Sequence, residues 1–156
     1  MAVVTILGAG YMGTALCIPA LDNGHEVRLW GTWLDDELID AVRIGREHPR
    51  LKLVMPPTIK TYTHRELAGA LEGVELLICA VTSEGIERVM QSALSLLEGE
   101  VPFMAATKGL LPGPNGHMDR LSHAVESIGF APVPDGQNGG PSKALDQSRR
   151  SPTPVV

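Results

Sequence analysis

A length of 156 residues suits one domain with its own hydrophobic core, and 44% apolar with 20% charged side chains is the composition of an ordinary soluble globular protein. The formal net charge of -5, with no cationic cluster beyond the Arg149-Arg150 pair, excludes the basic patch of a nucleic-acid binder. No stretch approaches the roughly 18 to 20 apolar residues of a membrane span, and no basic leader precedes Gly8-Ala9-Gly10, so no secretory signal is read and the cytoplasm is the expected location.

Val3-Val4-Thr5-Ile6-Leu7 is a continuous apolar, β-branched run, the pattern of a parallel strand covered on both faces. A glycine-rich turn follows, then a helix over Tyr11–Leu21. Asp22-Asn23-Gly24 closes that helix, Gly24 suiting the left-handed position after a helix end. Pro19 lies late in the helix, where a missing N–H favours a kink. Val27–Trp30 reads as the second strand. Leu34–Ile44 has helical periodicity through Leu34, Leu38, Ala41 and Val42, with Gly45 at its end.

The polar connection Arg46–Arg50 and the Pro56-Pro57 break lead to a short strand over Thr58–Tyr62. Thr63 and Glu66 have capping-box spacing and open the next helix. Glu75–Val81 is another buried strand. A helix capped by Thr82 or Ser83 then runs to Leu97, with Ile86, Val89, Met90, Ala93 and Leu97 on one face. Val101–Ala105 is a further strand, and Met118–Ile128 reads as helical.

Strands alternating with helices at this spacing predict an α/β fold with a Rossmann-type, doubly wound and mostly parallel sheet over residues 1–130. Residues 131–156 carry five prolines among clustered Gly, Ser and Asn. That composition buries too little surface to offset ordering entropy, so the segment reads as a poorly ordered tail with no strand in it.

Cys17 and Cys79 lie in apolar segments and read as buried free thiols. His25, His48, His64, His117 and His123 lack metal-ligand spacing, so no metal is expected. His48, in the Arg46–Arg50 loop, reads as a surface histidine, with the mouth of the site as the alternative. Neither a G-x-S-x-G elbow nor a P-loop G-K-[ST] ending is present.

Gly8-Ala9-Gly10-Tyr11-Met12-Gly13 fits G-x-G-x-x-G, a pattern that gains force from following a buried strand and opening a helix. Gly8 permits the tight turn, Gly10 lets the backbone approach a pyrophosphate, and Gly13 lets helix and strand pack closely. Free amides and the helix dipole attract the pyrophosphate itself. An NAD-type site often adds a carboxylate about 20 positions after the loop. Here the strand ends Leu29-Trp30-Gly31-Thr32, with no carboxylate before Asp35 and Asp36, which read as helix-starting residues. No arginine stands at the tip either, since Arg28 lies within the strand. NAD and NADP both stay open as the cofactor.

With these residues in view, the chain resembles the NAD(P)-dependent glycerol-3-phosphate dehydrogenases. GAGYMGTALC and DNGHEVRLWG match the opening of that family's amino-terminal domain. Ala80-Val81-Thr82-Ser83, Ala106-Thr107-Lys108-Gly109-Leu110 and Gly140-Pro141-Ser142-Lys143-Ala144 match later segments, followed by Pro152-Thr153 and Val155-Val156. The run Gly45–Leu51 is similar to an archaeal branch.

The resemblance implies interconversion of dihydroxyacetone phosphate and sn-glycerol 3-phosphate by hydride transfer, a small phosphorylated three-carbon substrate being the partner. It also implies that Tyr11, Met12 and Thr32 line the cofactor site beside Gly8, Gly10 and Gly13. Lys108 would lie near nicotinamide and substrate. Gly140 and Ser142 would contact substrate, and Ala144 cofactor. A lysine after a strand's carboxyl end also suits a phosphate or a carbonyl gaining negative charge. The family's helical second domain, with its principal catalytic lysine, is expected to be absent, and a homodimer is the assembly considered. Two other readings compete: a non-catalytic NAD(P)-binding module, and a related ketopantoate or hydroxyacid reductase.

Overall fold

The computed structural model describes residues 1–107, 110–112, 118–120 and 131–132. The β-branched run at the start forms β1 (Val3–Leu7), buried from Val4 onward. The chain then alternates through α1 (Tyr11–Asp22), β2 (Glu26–Trp30), α2 (Asp36–Arg43) and β3 (Lys60–Tyr62). A 3-10 turn (His64–Glu66) leads into α3 (Leu67–Leu71), followed by β4 (Leu76–Cys79), α4 (Ser83–Leu94) and β5 (Pro102–Ala105). β6 (Leu110–Pro112) and β7 (Met118–Arg120) form a separate antiparallel pair, and β8 (Ala131–Pro132) rejoins the main sheet.

That sheet is parallel throughout, in the order β3-β2-β1-β4-β5-β8. From central β1 the chain moves outward to β3, then crosses back to lay β4 on the other side of β1. The order therefore reverses between β1 and β4. Open α/β sheets bind ligands in the crevice at the carboxyl ends of such a pair. The expected Rossmann-type architecture is the one observed.

Alternation along the strands sends Leu7, Trp30, Leu77, Cys79 and Phe103 into one layer with α3 and α4. Val4, Ile6, Leu29 and Ile78 go into the opposite layer with α1 and α2. The face read for α4 is the one that packs, with Ile86, Val89, Met90 and Ala93 buried and Leu97 against the same cluster. Burying each such Leu, Ile or Met contributes roughly 1.5–3 kcal/mol, so both layers are needed to clamp the sheet. Both cysteines are free and buried, and burial pushes each thiol up to about 12.

Local signals act where expected in two places. Gly24 takes a φ of +76 after α1, and Thr63 with Glu66 forms both bonds of a capping box. Pro19 lies inside α1, whose last turn ends in Asn23 N–H donating to the Pro19 carbonyl.

Three expectations are corrected. Leu34 is no part of α2; it precedes the helix and is 75% exposed, because Asp35 turns back on Thr32 and α2 starts one residue later. Met118–Arg120 is strand rather than helix, its backbone pairing antiparallel with β6; residues 121–128 lie outside the described residues. Finally, Ala131–Pro132 pairs with Pro102–Phe103, so the sheet reaches into the proline-rich stretch. A proline is tolerated there because β8 lies at the edge of the sheet among the described residues.

Candidate functional site

The glycine loop sits in the crevice between β1 and β4. Backbone bonds carry the parallel ladder past the strand ends: Gly8 N–H donates to the Trp30 carbonyl at 2.8 Å, and Ala80 N–H to the Leu7 carbonyl at 2.8 Å. The three glycines do different work. Gly8 has a φ of +107, and a Cβ there would lie 2.9 Å from the Ala80 carbonyl oxygen. At Gly13 a Cβ would run into the Gly8 carbonyl oxygen, so α1 lies directly against the turn. At Gly10 it would meet nothing nearer than Arg50 Nη1 at 3.5 Å. Gly8 and Gly13 are demanded by the protein's own packing. The space at Gly10 is left open by the described residues.

α1 opens on that space. Its N-cap is Gly10, with no side-chain cap and no acidic residue in the first turn. First-turn amides have no intrahelical acceptor, so an anion is the natural partner for them. Tyr11 and Met12, 63% and 44% exposed, flank the loop in solvent.

Beneath the loop, Thr14 Oγ1 donates to the Ala9 carbonyl at 3.1 Å, and Cys17 Sγ to the Gly13 carbonyl at 3.5 Å. Across the crevice Thr107 Oγ1 donates to the Val81 carbonyl at 2.6 Å, tying the end of β5 to the turn after β4.

The tip of β2 is organised around Asp35. Its Oδ2 accepts the Thr32 N–H at 3.0 Å and the Thr32 hydroxyl at 2.8 Å. Thr32 Oγ1 in turn accepts the Leu34 N–H at 3.3 Å. Thr32 therefore stands at the site but spends its hydroxyl inside its own turn. Asp36 is in the first turn of α2, where His64 Nδ1 at 2.9 Å holds its carboxyl below the ordinary range.

Beside this tip, Trp30, Trp33, His64, Arg88 and Ser92 line a cleft of about 190 Å³. Arg88 stacks over Trp33 at 4.4 Å, and the buried Trp30 Nε1 has no hydrogen-bond partner among the described residues.

Residues 3–156 match the family described as NAD-dependent glycerol-3-phosphate dehydrogenase N-terminus. The chain belongs to this family. An NADP(+)-dependent glycerol-3-phosphate dehydrogenase of Archaeoglobus fulgidus is 34% identical over 99% of the chain and 45% of that relative. A glycerol-3-phosphate dehydrogenase [NAD(P)+] of Bacillus pumilus is 36% identical over 98% of the chain and 44% of the relative. Among solved structures, the glycerol-3-phosphate dehydrogenase of Coxiella burnetii superposes with a TM-score of 0.66 at 30% identity, over 80% of this chain and 36% of the other. The chain spans under half the length of these relatives.

Of the residues singled out from sequence, the fold brings Gly8, Gly10, Tyr11, Met12, Gly13 and Thr32 to the carboxyl end of the sheet. Lys108, Gly140, Ser142 and Ala144 lie outside the described residues.

The structure also brings in residues that sequence reasoning missed or misplaced. His48 is no surface residue: it is fully buried against the glycine loop, its Nε2 3.1 Å from the Ala9 carbonyl oxygen. Arg50 follows it to the same place. Gly31 is a third required glycine, since a Cβ there would crowd Ile39 and Asp35. No local pattern marks the contact of His48 with the loop, because it joins segments 39 residues apart.

Proposed function

We propose that the chain holds NAD or NADP and forms the dinucleotide-binding part of a glycerol-3-phosphate dehydrogenase. The reaction served is interconversion of sn-glycerol 3-phosphate and dihydroxyacetone phosphate by hydride transfer. The observation that carries the reading is the glycine loop. Two of its glycines are required by the fold, while the third leaves room beside an uncapped helix start. A dinucleotide pyrophosphate fits that donor set: it brings negative charge to a helix N-terminus and needs close backbone approach. Arg50 adds a cation next to the same loop.

A bound nicotinamide supplies or accepts the hydride. What this chain's residues do is hold and orient it. The first turn of α1 binds the pyrophosphate, Tyr11 and Met12 flank it, and the Thr32–Asp35 turn shapes the ribose end. Lys108 is proposed to meet the nicotinamide and substrate, where an ammonium stabilises charge developing on the carbonyl oxygen. Gly140 and Ser142 are assigned to the substrate and Ala144 to the cofactor. The support for Lys108 is its neighbour: Thr107 is bonded to the turn after β4, and Gly8 packs against that turn. The dinucleotide domain is taken as residues 1–130 with the strand Ala131–Pro132 completing its sheet, the rest being a tail.

No helix among the described residues is long and apolar enough to cross a membrane. The cytoplasm and a homodimer are proposed as location and assembly.

Titration with NADH and NADPH tests the cofactor reading, followed by calorimetry and by protein fluorescence. Both tryptophans, Trp30 and Trp33, sit at the tip of β2 and should report binding. Binding of neither dinucleotide overturns the reading. Oxidation of NADH that depends on dihydroxyacetone phosphate then separates an enzyme from a binding module.

A further inference from the structure

The glycine loop has a second anchor outside the G-x-G-x-x-G pattern. His48 is fully buried, and both ring nitrogens are engaged. Nδ1 faces the Leu51 N–H at 3.1 Å and must accept from it. Nε2 faces the Ala9 carbonyl oxygen at 3.1 Å, an atom that can only accept, so Nε2 carries the proton. Thr14 Oγ1, 3.3 Å away, gives its own proton to the same carbonyl. A neutral imidazole has one donor and one acceptor on opposite sides of the ring, and both contacts require that form.

The segment held by this ring is a closed unit. Glu47 bridges Val54, His48 N–H donates to the Leu53 carbonyl at 2.8 Å, and Lys52 N–H donates to the His48 carbonyl at 2.9 Å. Met55, buried just after it, anchors the far end. Arg50 lies between His48 and the Leu51 amide that the ring accepts from, and its guanidinium is the nearest group to the open side of Gly10. Arg50 is exposed and forms no ion pair among the described residues; its place follows from the turn that the ring fixes.

We infer that His48 is a positioning residue for cofactor binding: its uncharged ring locks residues 47–54 onto the glycine loop and thereby sets Arg50 beside the pyrophosphate site. The inference rests on the dinucleotide reading given above.

A protonated ring would break the lock in two ways. It would aim a second N–H at the Leu51 N–H, and it would bury a charge beside Arg50. The charged groups that act on the ring are Arg50 from its own loop and Asp35 from the start of α2. α1 and the glycine loop offer only the uncharged Thr14 and Ala9. Burial is the dominant influence and holds His48 below the ordinary histidine value; Arg50 acts in the same direction, while the Ala9 bond and Asp35 oppose.

The locked loop thus binds fewer protons than the released one. Locking is complete above the ordinary histidine pKa of about 6.5 and weakens as pH falls below it.

Two measurements test this. In the ligand-free protein, histidine ring NMR should show a neutral His48 with the proton on Nε2 at about pH 7.5, and the Leu51 amide should exchange faster as pH falls below about 6.5 once intrinsic exchange is corrected. A ring charged at that pH, or one protonated on Nδ1, overturns the lock.

The second measurement is NAD+ affinity between about pH 8 and pH 5.5, a probe without a phosphate that titrates in that window. Linkage to one proton allows wild-type affinity to fall by up to about tenfold per pH unit below the histidine range. His48→Gln keeps a donor and an acceptor but does not titrate, so it should bind more weakly at pH 8 with a flat profile, while His48→Leu should bind more weakly than either.

A pH profile shared by wild type and His48→Gln overturns the inference alone. Undetectable binding of both NAD+ and NADP+ at pH 8 overturns the cofactor reading, and with it any role of His48 in binding.

Discussion

Gly10 and Gly13 belong to one motif, yet the structure assigns them separable consequences. In Gly13→Ala the new methyl runs into the Gly8 carbonyl, a backbone group that has no rotamer to escape into. Overpacking of that kind costs roughly 1–3 kcal/mol. For a chain of this length each kcal/mol lowers Tm by about 2–4 °C, so Tm should fall by roughly 2–12 °C.

In Gly10→Ala the nearest atom is 3.5 Å away and belongs to a long flexible side chain, so the folded protein accommodates the methyl. Alanine is a poorer N-cap than glycine, but it also restricts the unfolded chain. These contributions are each about 0.5–1 kcal/mol and opposite in sign, leaving Tm within about 3 °C of wild type. Binding should suffer instead. The methyl occupies the approach to the pyrophosphate and displaces a hydrogen bond to a charged group worth about 1.5–3 kcal/mol, a loss of roughly 10- to 150-fold in affinity.

Thermal unfolding and calorimetric titration with NADH and NADPH on the same samples read both quantities. Gly10→Ala binding within about twofold of wild type refutes the pyrophosphate geometry, since even the weakest bond in the range predicts more. A Tm loss in Gly10→Ala equal to that in Gly13→Ala refutes the division of labour between the two glycines.

Arg50→Ala should lower dinucleotide affinity by roughly tenfold at low salt and less as salt screens the contact. Titrating NADH and NADPH side by side checks it, and equal affinity in mutant and wild type removes Arg50 from the site. Thr63→Ala, which opens the capping box, should cost about 0.5–2 kcal/mol in a denaturant melt.

Glu66, held down to about 2 by bonds to Thr63 and Arg43, is ionised in the native state where an unfolded carboxyl is protonated. Its contribution is therefore complete above the ordinary glutamate range and is lost as pH falls from there towards 2. Glu66→Gln should flatten that part of the stability profile, and an unchanged slope between about pH 4.5 and pH 2.5 would contradict it. Cys17 and Cys79, with thiols pushed up to about 12, should resist a thiol reagent at about pH 8 until the protein unfolds. Rapid labelling of either one in the native protein would count against their burial.

Much of the fold can be read from order along the chain. Buried β-branched runs alternate with amphipathic segments, and each run is short enough to be a strand covered by helices on both faces. That is why β1, β2, β4 and α4 lie where their periodicity places them, and why the glycine loop is recognisable between β1 and α1. The errors fall where a long-range contact overrides a local preference. Met118–Arg120 has an acceptable helical pattern, but its backbone is taken by β6. Ala131–Pro132 looks like the start of a tail, but the edge of β5 is there to pair with it.

The site divides along the same line. Local sequence alone determines the glycine turn, because glycine's conformational freedom and the helix start are both properties of neighbouring residues. Only the tertiary structure decides which glycine the protein needs for itself and which it leaves open for a ligand. The same holds for His48 and Arg50, about 40 positions downstream of the loop they complete. Their roles come from a buried hydrogen bond between segments, and hydrogen bonds of that range leave no period or spacing in the chain.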